Sequence, residues 1–139
     1  MAYWIKINYE RDNYVLDLAH ISAFACADNG RLTFWLPDSG IPIIINQQSH
    51  SKAYQQVLDY IKQVSGYSPF SYWIKINYDR SEYVIDLDQI SSFTCTHNGR
   101  LSFCLPNSGA AIIIHQQSHP ETYQKVLDYV EKKTGHSLL

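Results

Sequence analysis

The chain has 139 residues and a formal net charge of −2, with 45% hydrophobic and 17% charged residues. This composition is typical of a globular protein, and the even spread of charge does not indicate a basic module for polyanions. Three cysteines are too few for a disulfide framework, so reduced thiols in the cytoplasm are the simpler interpretation. We also expect no membrane contact, because no apolar run approaches the about 20 residues of a membrane span and no signal-peptide pattern begins the chain.

The chain consists of two tandem repeats of one sequence unit. Residues 71–135 repeat residues 2–66 at a constant offset of 69, with 39 identical residues in 65 aligned positions and no gap. A unit of this size alone would bury only about 60% of its unfolded surface, and duplicated units usually build a pseudo-symmetric pair. We therefore expect repeat 1 (residues 1–66) and repeat 2 (residues 71–139), joined by a linker (residues 67–70), to pack as one compact pseudo-dimer about a twofold axis.

Five segments of repeat 1 have strand patterns. Between Tyr3 and Tyr9 apolar and polar residues alternate, as on a strand with one buried face. Asn29-Gly30 favours the type I′ turn of a hairpin, because both residue types tolerate positive φ angles. Ile43-Ile44-Ile45 is an unbroken apolar run, which predicts a strand buried on both faces. The predicted strands cover residues 3–9, 14–18, 21–27, 32–36 and 43–45.

A helical pattern follows the last predicted strand of each repeat. Tyr54, Val57, Leu58 and Ile61 are spaced as one stripe of an amphipathic helix, and Gly66 follows where a C-cap would lie. The predicted fold is therefore α+β, a tandem duplication of a ββββ(β)α unit with antiparallel sheets and one C-terminal helix per repeat. The two repeats either pack side by side or share one continuous sheet.

The helix of repeat 2 has the clearer start. Pro120 suits the first helical position and disfavours helix at the residue before it, which makes His119 the predicted N-cap. Gly135 is its predicted C-cap.

The order of these elements resembles that of small β-rich regulatory modules. The shared features are an Asn-Gly hairpin, a second turn that ends in glycine (Pro37–Gly40), and a terminal helix. Some such modules, the LytTR-type domains, bind DNA, and others bind proteins. The resemblance is one of pattern alone, without a diagnostic motif, and it does not identify a family.

Large aromatic rings and flexible cations share the strand face opposite the isoleucines in both repeats. Such a face suits a protein interface, a surface on which single-stranded nucleic acid stacks, or a core between the repeats. Our first interpretation is a non-catalytic interaction or regulatory module for a protein partner. Its candidate binding residues are Trp4, Trp73, Lys6 and Lys75 on this face, together with Arg31 and Arg100, which follow the Asn-Gly turns.

Two alternatives stay open. Nucleic-acid binding by the same face requires that the four cations converge on one stripe free of carboxylates. A small-ligand or enzyme site at the Gln-Gln-Ser-His segments (residues 47–50 and 116–119) requires a pocket into which His50 or His119 points. The sequence has no P-loop, dinucleotide turn, nucleophile elbow or metal-binding motif. We therefore expect no enzyme, no cofactor and no metal, and we leave further homo-oligomerisation open.

Overall fold

A computed structural model describes residues 2–65 and 72–139 of the chain. The linker at 67–70 and the C-cap at Gly66 lie outside the described residues. The elements in chain order are β1 (Trp4–Tyr9), β2 (Asp12–Asp17), β3 (Ala23–Ala27), β4 (Arg31–Trp35), β5 (Pro42–Asn46), α1 (Ser51–Ser65), β6 (Trp73–Tyr78), β7 (Ser81–Asp86), β8 (Thr94–Cys95), β9 (Arg100–Cys104), β10 (Ala111–His115) and α2 (Pro120–Thr134). One-turn 3-10 helices (Leu18–His20 and Leu87–Gln89) follow β2 and β7.

The strands form three antiparallel sheets. β1 and β2 form a two-stranded sheet, β5-β4-β3-β7-β6 a five-stranded central sheet, and β10-β9-β8 a three-stranded sheet. The central sheet joins the repeats, because β3 pairs with β7 from Ala23 opposite Ile85 to Ala27 opposite Ser81. Of the two arrangements considered from the sequence, the repeats thus have the continuous sheet.

Two hydrophobic cores lie on opposite faces of the central sheet. Phe24 and Val84 stand side by side on one face, and Ala23 and Ile85 on the other, because successive residues of a strand alternate between faces. Core 1 contains Phe24, Phe34, Trp73 and Val84 of the central sheet, with Ile5, Ile7 and Leu16 of β1–β2 and Val57 and Ile61 of α1. Core 2 contains Ala23, Ile74, Ile76 and Ile85 of the central sheet, with Phe103, Ile112 and Ile114 of β9–β10 and Val126 and Val130 of α2. The molecule is therefore a stack in which the central sheet separates the β1–β2 sheet from the three-stranded sheet.

This stack confirms the α+β class with antiparallel sheets, but it does not confirm the pseudo-twofold axis. A closed twofold pair would match the β3–β7 contact with a contact between β8 and β2. Among the described residues β2 pairs only with β1, and β8 only with β9. The two cores also lie on opposite sides of the shared sheet, so each repeat is displaced from the other across the layers.

Two local predictions are corrected. Ile44 is 37% exposed between the fully buried Ile43 and Ile45, because β5 is an edge strand and core 1 covers only one of its faces. At the Asn-Gly turn only Gly30 has a positive φ angle (82°), so this turn is not type I′. The two-residue turns with two positive φ angles are Glu10-Arg11 and Asp79-Arg80.

Both helices bury one apolar stripe against their own core. Tyr60 and Tyr129 belong to these stripes and are buried. In α2 His119 occupies the N-cap position without a side-chain capping hydrogen bond, and Gly135 is a left-handed C-cap whose N–H donates to Glu131. No helix in the described part of the chain is long and apolar enough to cross a membrane.

Candidate functional site

The two tryptophans of the predicted binding face have different environments. The Trp4 side chain is 62% exposed, whereas Trp73 is only 9% exposed. Trp73 stacks on Phe24, with the ring centroids 6.2 Å apart and the planes at 28°. The prediction that both tryptophans present a binding surface is therefore wrong for Trp73, which the β3–β7 pairing places in core 1.

The two predicted lysines are exposed on different sheets. Lys6 lies opposite Val15 on the outer face of the β1–β2 hairpin, which it shares with Trp4. Lys75 lies opposite Val84 on the edge strand of the central sheet. Only the pair of Trp4 and Lys6 forms the exposed aromatic and basic surface that the sequence indicated for both repeats.

Arg31 and Arg100 are exposed at the first positions of β4 and β9. Arg31 lies opposite Asn46 on the central sheet, and Arg100 lies opposite His115 on the three-stranded sheet. Lys75 lies on the face of the central sheet that packs on core 1. Arg31 lies on the opposite face, because it directly precedes Leu32 of core 1 and successive strand residues alternate between faces. The four cations thus do not form the single stripe that the sequence-based alternative required.

The four arginines of the chain all lie in, or directly after, hairpin turns. Arg11 and Arg80, which the sequence analysis missed, occupy the second turn position with φ angles of 72° and 66°. Among residues 2–65 and 72–139, none of the four arginines forms an ion pair within 4.0 Å. Their occurrence at turns, twice per repeat, was a sequence signal that could have identified all four.

Two of these turns, one from each repeat, lie side by side at one end of the central sheet. Ala27, which ends β3 before the turn to Arg31, lies opposite Ser81, which follows Arg80. With strands about 4.8 Å apart, the Cα atoms of Arg31 and Ser81 are roughly 10 Å apart. We call this surface the arginine end; it comprises Asn29, Arg31, Asn46, Gln47, Asp79 and Arg80.

The arginine end offers donors in a form that suits phosphate and base edges. A guanidinium group is planar and donates two parallel hydrogen bonds to a phosphate or to guanine, and side-chain amides pair with adenine. Some of the local polar atoms are already used, since Asn29 Oδ1 accepts from the Arg31 N–H at 3.1 Å and Asn46 Oδ1 from the Ser49 N–H at 2.7 Å. Neither guanidinium group forms an ion pair with a residue of the described structure.

Among the described residues, neither Gln-Gln-Ser-His segment has a cavity into which its histidine points, as the small-ligand alternative required. A surface cavity of about 630 Å³ lies beside the second of these segments and is lined by Cys95, His97, Asn98, Gln116 and Tyr123, among others. Neither His50 nor His119 lines it, and the Nδ1 atom of each is buried without a hydrogen-bond partner among the described residues. Burial raises the pKa of the Cys26 thiol, which disfavours the reactive thiolate.

No protein-family model and no curated protein sequence matches this chain. Its structure is similar to the LytTr DNA-binding domain of a putative methyl-accepting/DNA response regulator from Bacillus cereus, with a TM-score of 0.51 and 9% sequence identity. The similarity covers 88% of this chain and 95% of that domain. One domain of that protein therefore corresponds to both repeats of this chain taken together, and the two have the same general fold.

Proposed function

We propose that this chain is a DNA-binding module that contacts duplex DNA through the arginine end of its central sheet. The observation that carries the proposal is the pair of neighbouring turns with Arg31 and Arg80, both exposed and free of ion pairs in the described structure. They lie on a fold that is similar to a DNA-binding domain. Arginine is the side chain best suited to bind a phosphate or to recognise a guanine, because its planar guanidinium group donates two parallel hydrogen bonds to either.

This proposal corrects our first interpretation of the sequence. A module for a protein partner is contradicted by the similarity to a DNA-binding domain, which favours the nucleic-acid alternative. The description of that neighbour names a DNA-binding domain, and the expectation that this chain has no catalytic activity stays a prediction. Among the six candidate residues, Trp73 is removed from the site by its burial.

The remaining candidates take secondary roles. Arg100 directly follows the repeat 2 turn that corresponds to the turn before Arg31, and Lys6, Lys75 and Trp4 are exposed on other surfaces. We assign them no base contact, because they do not share a face with Arg31 and Arg80. They contribute, at most, long-range attraction of the phosphate backbone, which salt screens.

The binding unit in this proposal is the whole chain. Arg31 belongs to repeat 1 and Arg80 to repeat 2, and their turns become neighbours only through the β3–β7 pairing. The repeat boundaries at residues 1–66 and 71–139, with a linker at 67–70, therefore describe the duplication, whereas the functional unit spans both repeats.

The test begins with selection of duplexes from a random-sequence library by the full chain. Affinity for a selected duplex is then measured by fluorescence anisotropy for the wild type and the variants Arg31→Ala and Arg80→Ala. We expect each variant to lose about 1–3 kcal/mol of binding free energy, or about 5- to 150-fold in affinity. The matched control is Lys62→Ala, which removes one exposed cation near the end of α1, about 16 Å along the helix from its start.

Two outcomes would overturn the proposal. One is a library from which the chain enriches no sequence. The other is a selected duplex that Arg31→Ala, Arg80→Ala and Lys62→Ala all bind as tightly as the wild type does. Thermal unfolding of each variant checks that the exposed substitutions leave the fold intact.

A further inference from the structure

The contact between the repeats uses two strand edges, and the corresponding edges at the two ends of the stack are unpaired. β3 of repeat 1 pairs with β7 of repeat 2. At an offset of 69, β3 corresponds to β8 and β7 corresponds to β2. In the described chain β8 has β9 on one side only, and β2 has β1 on one side only. One end of the stack thus has a free β2 edge and the other end has a free β8 edge, the counterparts of the two edges that pair between the repeats.

Residues that are buried in the contact between the repeats have counterparts that are exposed at the free edge of β2. Val84 of β7 is 1% exposed, and its counterpart Val15 is 65% exposed. Trp73 is 9% exposed, and its counterpart Trp4 is 62% exposed. All of these positions have the same residue in both repeats. Trp4 and Val15 are therefore exposed because no described strand lies beside β2 as β3 lies beside β7.

At the free β8 edge, Phe93 has fewer aromatic contacts among the described residues than its counterpart Phe24 has. Phe24 contacts three aromatic rings, Phe34 at 5.8 Å, Tyr60 at 6.0 Å and Trp73 at 6.2 Å. Its counterpart Phe93 keeps the first two contacts, with Phe103 at 5.6 Å and Tyr129 at 6.2 Å. The third ring in the internal contact comes from the neighbouring repeat. Among the described residues, no third ring lies beside Phe93.

A close contact between two turns also occurs at the glycine turn of repeat 1 and not at the corresponding turn of repeat 2 in the described structure. The Gly40 turn of repeat 1 packs so closely on repeat 2 that a Cβ atom at Gly40 would lie 2.7 Å from the backbone oxygen of Asn107. At the corresponding Gly109, no atom of the described chain, apart from the two adjacent residues, lies within 4 Å of such a Cβ atom. The residue that corresponds to Asn107 is Asp38. The turn at Gly109 is therefore open to receive Asp38 of a further repeat 1.

We propose that a second copy of this chain docks the free edge of its β2 against the free edge of β8. The register follows from the internal contact, with Phe93 opposite Val15 and Thr94 opposite Tyr14 of the second copy. The segment from Ser91 to Thr96 has no charged residue. It therefore lacks the charges that usually protect an edge strand from such pairing.

This association is head-to-tail and continues the stack. Each contact uses two different surfaces, and such contacts close into rings or extend as filaments. Because core 1 and core 2 lie on opposite faces of the central sheet, each added copy extends the stack in the same direction. The contact between copies is weaker than the internal one, because Ser92 and Thr94 replace the buried Ala23 and Ala25. We therefore expect association to depend on protein concentration.

The test is a mixing experiment with two variants of the full chain, each blocked at one edge. Val15→Lys places a charge at the β2 edge, and Thr94→Lys places one at the β8 edge; both positions are exposed in the single chain, so both variants fold. Analytical ultracentrifugation of the wild type should show mass that increases with concentration. Each variant alone should weaken association by about tenfold or more, because the lysine would be buried unpaired in the contact.

Mixing distinguishes a head-to-tail contact from other kinds of association. Val15→Lys retains a free β8 edge, and Thr94→Lys retains a free β2 edge, so an equal mixture should form dimers and nothing larger. Ile44→Lys is the control, since it changes an exposed apolar residue elsewhere and should associate like the wild type. A monomeric wild type at all attainable concentrations would overturn the proposal, as would an equal mixture that contains no dimers. No nucleic acid is present, so the outcome is independent of the DNA-binding proposal.

Discussion

Identical residues in the two repeats of this chain have different energetic roles. Trp73 fills core 1 beside Phe24, and Trp4, its counterpart, lies on the open face of the β1–β2 hairpin. The difference arises from one neighbouring strand, because β3 pairs with β7, whereas in the described part of the chain β2 pairs with β1 alone. Stability measurements on matched pairs of variants therefore report directly on the contact between the repeats.

For the tryptophan pair, we expect Trp73→Ala to reduce the free energy of unfolding by about 3–5 kcal/mol, as for other buried aromatic residues. Trp4→Ala should change it by no more than about 0.5 kcal/mol, as for an exposed surface position. Denaturant titration at low protein concentration, where the chain is monomeric, measures both values. Equal losses for the two variants would contradict the assignment of Trp73 to the core.

The aspartates that end β2 and β7 differ in their response to pH. Hydrogen bonds lower the pKa of Asp17, whose carboxylate accepts from the N–H of Tyr3 at 2.8 Å and of Ala19 at 3.0 Å. Burial raises the pKa of Asp86, which lies opposite Trp73 under the β3–β7 contact. The charged form of Asp17 therefore stabilises the folded chain, whereas the charged form of Asp86 destabilises it.

The sign of each effect follows from these shifts. The Asp17 contribution is present above the ordinary carboxyl pKa of 3.8 and is lost as the pH falls through the lowered folded-state value. The Asp86 carboxyl favours the folded state at low pH and loses this effect as the pH rises from 3.8 through its raised value. At pH 7, Asp17→Asn should lower the thermal midpoint and Asp86→Asn should raise it. Midpoints measured from pH 3 to pH 7 check this, and shifts of the same sign would contradict it.

At the scale of elements, the turns between strands decide how closely the layers approach. Gly40 and Gly109 have almost the same φ angle, 71° and 70°, so a side chain at either position has the same intrinsic strain. Only Gly40 abuts another turn, at Asn107. A difference between variants at these two glycines therefore measures the contact between turns and not the backbone conformation.

We expect Gly109→Ala to cost about 1–2 kcal/mol of unfolding free energy, the usual cost of a left-handed residue with a side chain. Gly40→Ala should cost clearly more, because the added methyl group would lie 2.7 Å from a backbone oxygen that cannot rotate away. Denaturant unfolding of the two variants under the same conditions is the measurement. A Gly40→Ala variant as stable as Gly109→Ala would indicate that the two turns do not touch.

The sequence was sufficient for the elements that depend on local pattern. The alternation from Tyr3 to Tyr9 and the stripe of Val57 and Ile61 indicated β1 and α1, and Gly135 was identified as a C-cap. These features depend on residue spacing within one repeat. The sequence could not separate Trp4 from Trp73, because two identical strands differ only in what a distant strand places beside them.

In the candidate site too, residues marked by the adjacent sequence could be predicted, and residues whose role depends on a distant strand could not. Arg31 was identified because it follows an Asn-Gly turn, and that signal is local. Arg80 was missed because its importance depends on the β3–β7 register, which brings its turn beside the turn that precedes Arg31. Ile44 was assigned to a fully buried strand because an apolar run does not show which faces of an edge strand are covered.

At the scale of the whole molecule, the charge balance limits how the proposed contact with DNA can form. A net charge of −2 gives no general attraction to a polyanion. The arginine end supplies two guanidinium groups, and Asp79 lies in the same turn as Arg80. Affinity must therefore come from a few well-placed contacts, and nonspecific binding should be weak.

This balance gives a quantitative expectation for the dependence of DNA binding on salt. Two phosphate contacts correspond to a slope of about −2 in a plot of log affinity against log salt concentration, since each contact contributes about −0.9. If Arg80 contacts phosphate, Arg80→Ala should reduce the slope by about one unit, while Lys62→Ala should leave it unchanged. Anisotropy titrations of a selected duplex at several salt concentrations measure these slopes. A wild-type slope steeper than about −5 would require more phosphate contacts than the arginine end can make, and would place the DNA across a broader surface that includes Lys6, Lys75 and Arg100.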